Sequence, residues 1–261
     1  MGVVVMRKNT VKETLANGGI SIGTMVFEFN STGIGRVAGE AGAEFVIFDM
    51  EHTGWSIETI RMLIATSRAS KALPMVRVPA TQYHLMSRPL DAGAMGLMIP
   101  MVETIDQARL IVQSSKYAPD GGRGAAFTVA HDDYEGGDVA EKMRAANREG
   151  MLIAQIETVT GVENCDSIAA VDGIDCLWVG HFDLTQSMGI PAQFDHPDFI
   201  ENITRVAKAC DAHGKAAGVM VADAATAKLW RGLGYRALAY GGDLWIYGSA
   251  LKAGIDEVRA I

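Results

Sequence analysis

The sequence predicts an α/β chain folded as one (β/α)8 TIM barrel, and three observations predict it. Eight short apolar runs recur along 261 residues, amphipathic helical patterns separate them, and the alternation has the size and rhythm of an eight-unit barrel of about 250 residues. The runs are nearly continuous in hydrophobicity rather than alternating, as parallel strands covered on both faces require. An open doubly wound sheet is the competing architecture, but its glycine fingerprint after the first strand is missing.

The first 15 or so residues read as a leading helix across the barrel bottom. Strands are expected at 20–26 (ISIGTMV), 44–50 (EFVIFDM), 74–79 (PMVRVP) and 96–102 (GLMIPMV). Four more are expected at 151–157 (MLIAQIE), 174–180 (IDCLWVG), 215–221 (KAAGVMV) and 235–240 (YRALAY). Helical spacing joins Ile57, Ile60, Leu63 and Ile64 behind a Ser56 cap, and Ile105, Ala108, Ile111 and Val112. It also joins Ile200, Ile203, Val206, Ala207 and Cys210, closing at Gly214. One stretch breaks the rhythm: residues 116–150 carry two glycine pairs and mixed charge before a helix near 138–147. It is either a candidate lid or a surface excursion. No shift in composition divides the chain, so residues 1–261 are expected to form a single domain.

Composition narrows the function classes. With 49% hydrophobic residues the chain buries a large core without disulfides. Lys plus Arg total 23 against 31 Asp plus Glu, a net charge of −8 with scattered basic residues, which disfavours nucleic acid as a partner. No run approaches the roughly 18 apolar residues of a membrane helix, and the opening Met1–Met6 stops at Arg7-Lys8 without the pattern of a signal peptide. A cytoplasmic enzyme is the expectation. Cys165, Cys176 and Cys210 lie in apolar stretches outside any metal-binding spacing and read as buried thiols. Glycine is enriched, 29 residues or about 11% against an ordinary 7%, which fits a compact fold with many tight turns.

In such a barrel, reactive groups belong at the C-terminal ends of strands. Strand two ends in Asp49-Met50-Glu51-His52, strand three carries Arg77, strand five ends in Gln155-Ile156-Glu157, and strand six runs into Gly180-His181-Phe182-Asp183. A charge near the end of an apolar strand is costly to bury unpaired. Glu157 and Asp183 leave successive strands on one rim, and two hard carboxylates so placed suit a divalent Mg²⁺, Mn²⁺ or Co²⁺; the bland alternative pairs each with a Lys or Arg. His52 beside Asp49 and Glu51 suits a general base, or stands as a bystander on an acidic helix start. Arg77 presents a fork for a substrate carboxylate or phosphate, or joins a ring of charge pairs.

Five ordered motifs, FDMEHTGWS, PMVRVP, LDAGAMGLMIPMVET, AQIET and VGHFDLTQSMGIP, resemble the metal-dependent class II pyruvate aldolases of the 4-hydroxy-2-oxoheptanedioate and 2-keto-3-deoxy-sugar-acid aldolase family. The resemblance spans residues 20–250. It implies a divalent ion at Glu157 and Asp183, a 2-oxo acid chelated to it, and Arg77 steadying the enolate. It also implies that His52 takes part in proton transfer, that Asp49 orients metal-bound water, and that Asp91 of LDAGA partners the histidine across a subunit interface. Gln155 matches a position near the donor, and the amides near Phe182 and Asp183 would receive its carboxylate. The implied assembly is a hexamer, a trimer of dimers with an exchanged C-terminal helix. The family's Gly-Pro-x-Asp reads Gly180-His181-Phe182-Asp183 here, so His181 and Phe182 leave donor specificity open. The expected reaction is reversible cleavage of a 4-hydroxy-2-oxo acid to pyruvate, or a related 2-oxo acid, and an aldehyde. The alternatives are a metal-enolate decarboxylase or thioester lyase on the same scaffold, and a non-catalytic metabolite-binding barrel.

Overall fold

The eight apolar runs become the strands of a closed parallel barrel that pair in chain order from β1 to β8, with β8 returning to β1. The computed structural model describes residues 6–261. The strands are β1 Ser21–Val26, β2 Phe45–Asp49, β3 Leu73–Arg77, β4 Gly96–Ile99, β5 Met151–Ile156, β6 Cys176–Val179, β7 Ala216–Val221 and β8 Ala237–Gly242. The helices are α1 Thr10–Ala16, α2 Ile34–Glu40, α3 Ile57–Ser67, α4 Tyr83–Asp91, α5 Ile105–Ser115, α6 Val139–Glu149, α7 Val159–Glu163, α8 Cys165–Ala169, α9 His181–Ser187, α10 Pro197–Ala212, α11 Ala224–Gly232 and α12 Asp243–Arg259. Ser56 caps α3 by accepting from the Thr59 amide, as its sequence position predicts.

Side chains alternate across each strand, and the two faces enter two different cores. Val46 and Phe48 of β2, Val76 of β3, Leu152 and Ala154 of β5 and Leu177 of β6 point outward into the layer beneath the helices. Phe45 and Ile47, Leu73 and Met75, Met151 and Ile153, and Cys176 and Trp178 fill the barrel interior, which Val11 and Leu15 of α1 plug from below. The inward column of each strand therefore continues upward to a rim residue: Asp49 on β2, Arg77 on β3, Gln155 and then Glu157 on β5, Gly180 on β6. This parity positions the site. All three cysteines are buried, as expected.

Strand ends differ from the expected spans by a few residues. β4 stops at Ile99 rather than 102, because the chain turns through Met101 at φ 54° to reach the rim. β8 starts at Ala237, just after Arg236, whose backbone already bonds to Ala217 and Ser21, while the Tyr235 hydroxyl donates to the Ile203 carbonyl at 2.9 Å. The opening residues 1–5 of the expected leading helix lie outside the described residues.

The candidate lid at 116–150 takes a different place. It leaves α5 at the barrel bottom and packs outside α3 and α4: Arg123 Nη2 lies 2.5 Å from Asp91 Oδ1, the Gly124 amide donates to the Tyr83 hydroxyl at 2.8 Å, and Arg68 grips Asp133 at 2.6 Å. A buried Lys142–Asp132 pair at 2.6 Å anchors it to α6. None of its residues lines the cavity at the barrel mouth, and His131 is buried beside Tyr117 and Phe127. The reason is geometric: a segment joining a helix to the next strand emerges at the end opposite the active rim.

Candidate active site

At the C-terminal rim, a cavity of about 190 Å³ is lined by His52, Arg77, Gln155, Gly180, His181, Phe182 and Asp183, with Phe27 and Trp245 on its far side. Of the expected rim residues, His52, Arg77, Gln155, His181, Phe182 and Asp183 line it, Asp49 and Glu157 are buried outside this lining, and Asp91 does not belong to the rim.

Asp49 is fully buried at the end of β2. One oxygen accepts from Arg77 Nε at 2.6 Å and from the Glu51 amide at 3.1 Å, the other from the His52 amide at 3.0 Å. Its carboxylate thus fixes the loop that carries Glu51 and His52 and aims the guanidinium of Arg77. Both of its oxygens are thus engaged by groups of the protein. Asp49 also leaves the His52 ring alone; that ring, half exposed, has Glu51 as its acidic neighbour at 3.7 Å.

Glu51, expected beside His52, also reaches Arg77. Its Oε2 lies 3.2 Å from Arg77 Nη1 yet makes no aligned hydrogen bond, and it is a buried orphan. The available signal was parity, because 45, 47, 49 and 51 form the inward column of β2. Arg77 is thus held at Nε by Asp49 and at Nη1 by Glu51.

Glu157 sits one residue beyond β5 and is 2% exposed. Its Oε1 accepts from the Met101 amide at 2.7 Å, and its Oε2 accepts from Gln155 Nε2. A Cβ at position 180 would collide with that carboxylate, so Gly180 lets strand six pass close to it. Burial chiefly pushes the Glu157 carboxyl up to about 7, with Glu51 and Asp183 adding like-charge repulsion against the two hydrogen bonds. Burial likewise lifts Glu51 to about 7, aided by Asp49 and Asp183 and opposed by Arg77. Gln155 adds a second buried orphan, its Oε1. His181 is held neutral by burial, which lowers it to about 4, and its ring packs on Phe182 at 4.8 Å and Phe194 at 5.2 Å.

Among the described residues no group of three or more His, Cys, Asp or Glu side chains is arranged as a complete metal cage. The donor set still fits a hard divalent ion bound through few protein ligands: Glu157 and Asp183 repel each other, and the buried Glu51 Oε2 and Gln155 Oε1 have no hydrogen-bond donor. Zinc of the structural kind is a poor match to this all-oxygen set.

A prediction follows for the metal-free protein. Glu51 and Glu157 titrate higher in the folded chain than the ordinary 4.5, so the folded state binds more protons than the unfolded one. Their contribution is fully present below about 4.5 and is lost as pH rises through about 7. In EDTA, Tm should therefore fall by on the order of several degrees from about pH 5 to about pH 8, and the fall should flatten in Glu157→Gln. Differential scanning calorimetry reads both; an unchanged slope in the variant contradicts the assignment.

Asp91 stands at the C-terminal end of α4, at the barrel bottom, and within its own chain pairs with Arg123. The helix α12 exposes Trp245, Tyr247, Leu251, Ile255 and Val258, an apolar surface unusual for the last helix of a barrel. No helix of the described residues is long and apolar enough to cross a membrane.

Comparison with known proteins agrees with this geometry. Residues 26–250 match the HpcH/HpaI aldolase/citrate lyase family. The chain is 34% identical over 224 residues to a 5-keto-4-deoxy-D-glucarate aldolase of Shigella boydii, covering 86% of each chain. It is 34% identical over 236 residues to a hydroxypyruvate/pyruvate aldolase of Roseovarius nubinhibens, covering 90% of this chain and 91% of the relative. Its fold superposes on a crystal structure of an HpcH/HpaI aldolase from Desulfitobacterium hafniense with a TM-score of 0.91 at 32% identity, covering 96% and 97% of the two chains. The rim of buried carboxylates around Arg77 thus belongs to an aldolase-type carbon–carbon lyase, and the chain is a member of the HpcH/HpaI aldolase/citrate lyase family.

Proposed function

We propose that the protein reversibly cleaves a 4-hydroxy-2-oxo acid into pyruvate, or a related 2-oxo acid, and an aldehyde, with a divalent cation held by Glu157 and Asp183. The observation that carries this reading is the carboxylate cluster of Glu51, Glu157 and Asp183, near enough to raise one another's proton affinity, with Asp183 and Arg77 lining one cavity at the barrel rim. When bound, Mg²⁺, Mn²⁺ or Co²⁺ supplies Lewis-acid polarisation of the 2-oxo group.

The chain's own groups supply the rest. Cleavage breaks the C3–C4 bond and leaves the electron pair on C3, delocalised to an enolate oxygen. Arg77, locked by Asp49 and Glu51, presents a fixed positive charge to that oxygen without reorganising during the reaction. The proton on the C4 hydroxyl must leave, and His52, exposed at the mouth beside Glu51, is the base that receives it directly or through a water. Gln155 holds Glu157 in place. The amides at the start of α9, near Phe182 and Asp183, would donate hydrogen bonds to the carboxylate of the 2-oxo acid.

Asp91 meets His52 through a second copy of the chain in this reading, because within one chain the two stand at opposite ends of the barrel. The exposed apolar surface of α12 supports the exchanged helix and the hexameric assembly implied by the resemblance. The net charge of −8 with scattered basic residues supports a small-molecule substrate, and a cytoplasmic location accompanies this reading.

Dialysis against EDTA should abolish retro-aldol turnover, and Mn²⁺ or Mg²⁺ should restore it. Full turnover in the stripped enzyme would sink the metal assignment.

A further inference from the structure

We infer that Asp243 is a positioning residue for Arg77 and acts through Phe27: its carboxylate clamps the turn that follows β1, and that turn lays the Phe27 ring on the guanidinium that steadies the enolate. The inference rests on the aldol reading and adds to it the means by which Arg77 keeps its orientation.

Asp243 is a buried carboxylate at the rim to which the reaction gives no part. Its hydrogen-bond partners are three successive backbone amides rather than a cation: Oδ1 accepts from Phe27 at 2.9 Å, and Oδ2 from Glu28 at 3.0 Å and Phe29 at 2.6 Å. These amides lie just past Val26, where β1 leaves the barrel ladder, so Asp243 supplies the acceptors that a neighbouring strand would otherwise supply. Its own place at the start of α12 favours a negative charge there. Gly242 pairs with Met25 in the β1–β8 ladder, and Asp243 therefore stays beside Phe27 wherever the later turns of α12 pack, on this chain or on a second copy. A Cβ on residue 242 would stand 2.8 Å from the Phe27 ring, so glycine is what lets the ring lie against β8.

The clamped turn delivers that ring to Arg77. Arg77 Cζ lies 5.6 Å from the Phe27 centroid, within the roughly 6 Å at which an aromatic face attracts a guanidinium. Asp49 at Nε and Glu51 at Nη1 grip the guanidinium by its edge. Two contacts along the edge leave the plane free to tilt about the line joining them, and a ring set against the face removes that freedom. Nη2 has no protein partner among the described residues, and Arg77 lines the rim cavity, so Nη2 is the nitrogen left for the enolate oxygen. Small errors in its direction are costly, because charge stabilisation at a reacting centre depends on geometry fixed beforehand.

The test follows proton exchange at the methyl group of saturating pyruvate with Mn²⁺, and Mn²⁺ affinity by calorimetry, in four variants. Phe27→Leu keeps apolar bulk without the ring and should slow exchange about tenfold at unchanged Mn²⁺ affinity, whereas Phe27→Tyr keeps the ring and should stay within about threefold of wild type. Asp243→Asn turns an N–H group toward amide donors and should slow exchange by about the same tenfold. Asp243→Ser, which keeps one acceptor oxygen, takes its place if the Asn variant does not fold. The double variant of Phe27→Leu with the Asp243 change should be no slower than the slower single variant, because both act on Arg77 through one contact. Three results overturn the inference while wild-type exchange upholds the aldol reading: Phe27→Leu within about threefold of wild type, Phe27→Tyr as slow as Phe27→Leu, or losses that multiply in the double variant. Absence of exchange in the wild type overturns the aldol reading and the inference with it.

Discussion

Glu157→Gln should lower kcat/KM by on the order of 10³-fold or more while leaving the barrel folded. The substitution keeps an oxygen for the Met101 amide and removes the charge that Glu157 shares with Asp183 toward a divalent ion. Because burial and neighbouring carboxylates already disfavour the ionised form, the neutral side chain should match or exceed the metal-free wild type in Tm above neutral pH. Mn²⁺ titration by calorimetry should show lost binding alongside lost turnover. Activity within tenfold of wild type would remove Glu157 from the machinery.

Arg77→Met should be the most destabilising change at the rim. Asp49 is 0% exposed, and its charge is balanced chiefly by the Arg77 Nε contact at 2.6 Å. Removing one partner of a buried pair leaves an uncompensated charge, a cost of about 3–5 kcal/mol, or roughly 10 °C in Tm for a chain of this length. Arg77→Lys restores a charge but not the fork that reaches Asp49 and Glu51 together, so it should recover part of the stability and little of the activity. Thermal melts with paired kinetics on the two variants check this. Equal activity in Arg77→Lys and wild type would show that the fork plays no part.

The barrel was legible because parallel strands buried on both faces must be apolar throughout, and eight such runs leave few alternatives. The same property blurs their ends: nothing polar marks where Ile99 stops pairing. The rim was legible at Arg77, Glu157 and Asp183, because charges at the ends of apolar strands demand a reason. Glu51 was legible as a neighbour of His52, but its contact with Arg77 follows from the parity of β2, which adjacency to a histidine does not reveal. The segment 116–150 has a lid's composition, but composition does not say at which end of the barrel a connection emerges. Asp91 is set apart for a similar reason, since α4 carries it to the bottom before the chain turns back.

The most direct measurement is proton exchange at the methyl group of pyruvate, followed by NMR in heavy water with the aldehyde absent. This isolates enolate formation at the rim from any property of the acceptor. The account predicts exchange in wild-type enzyme supplied with Mn²⁺ or Mg²⁺, its loss in EDTA, and its loss in Glu157→Gln at the same ion concentration. Exchange that persists unchanged in EDTA and in Glu157→Gln would contradict the claim that these rim carboxylates hold the ion that makes the enolate.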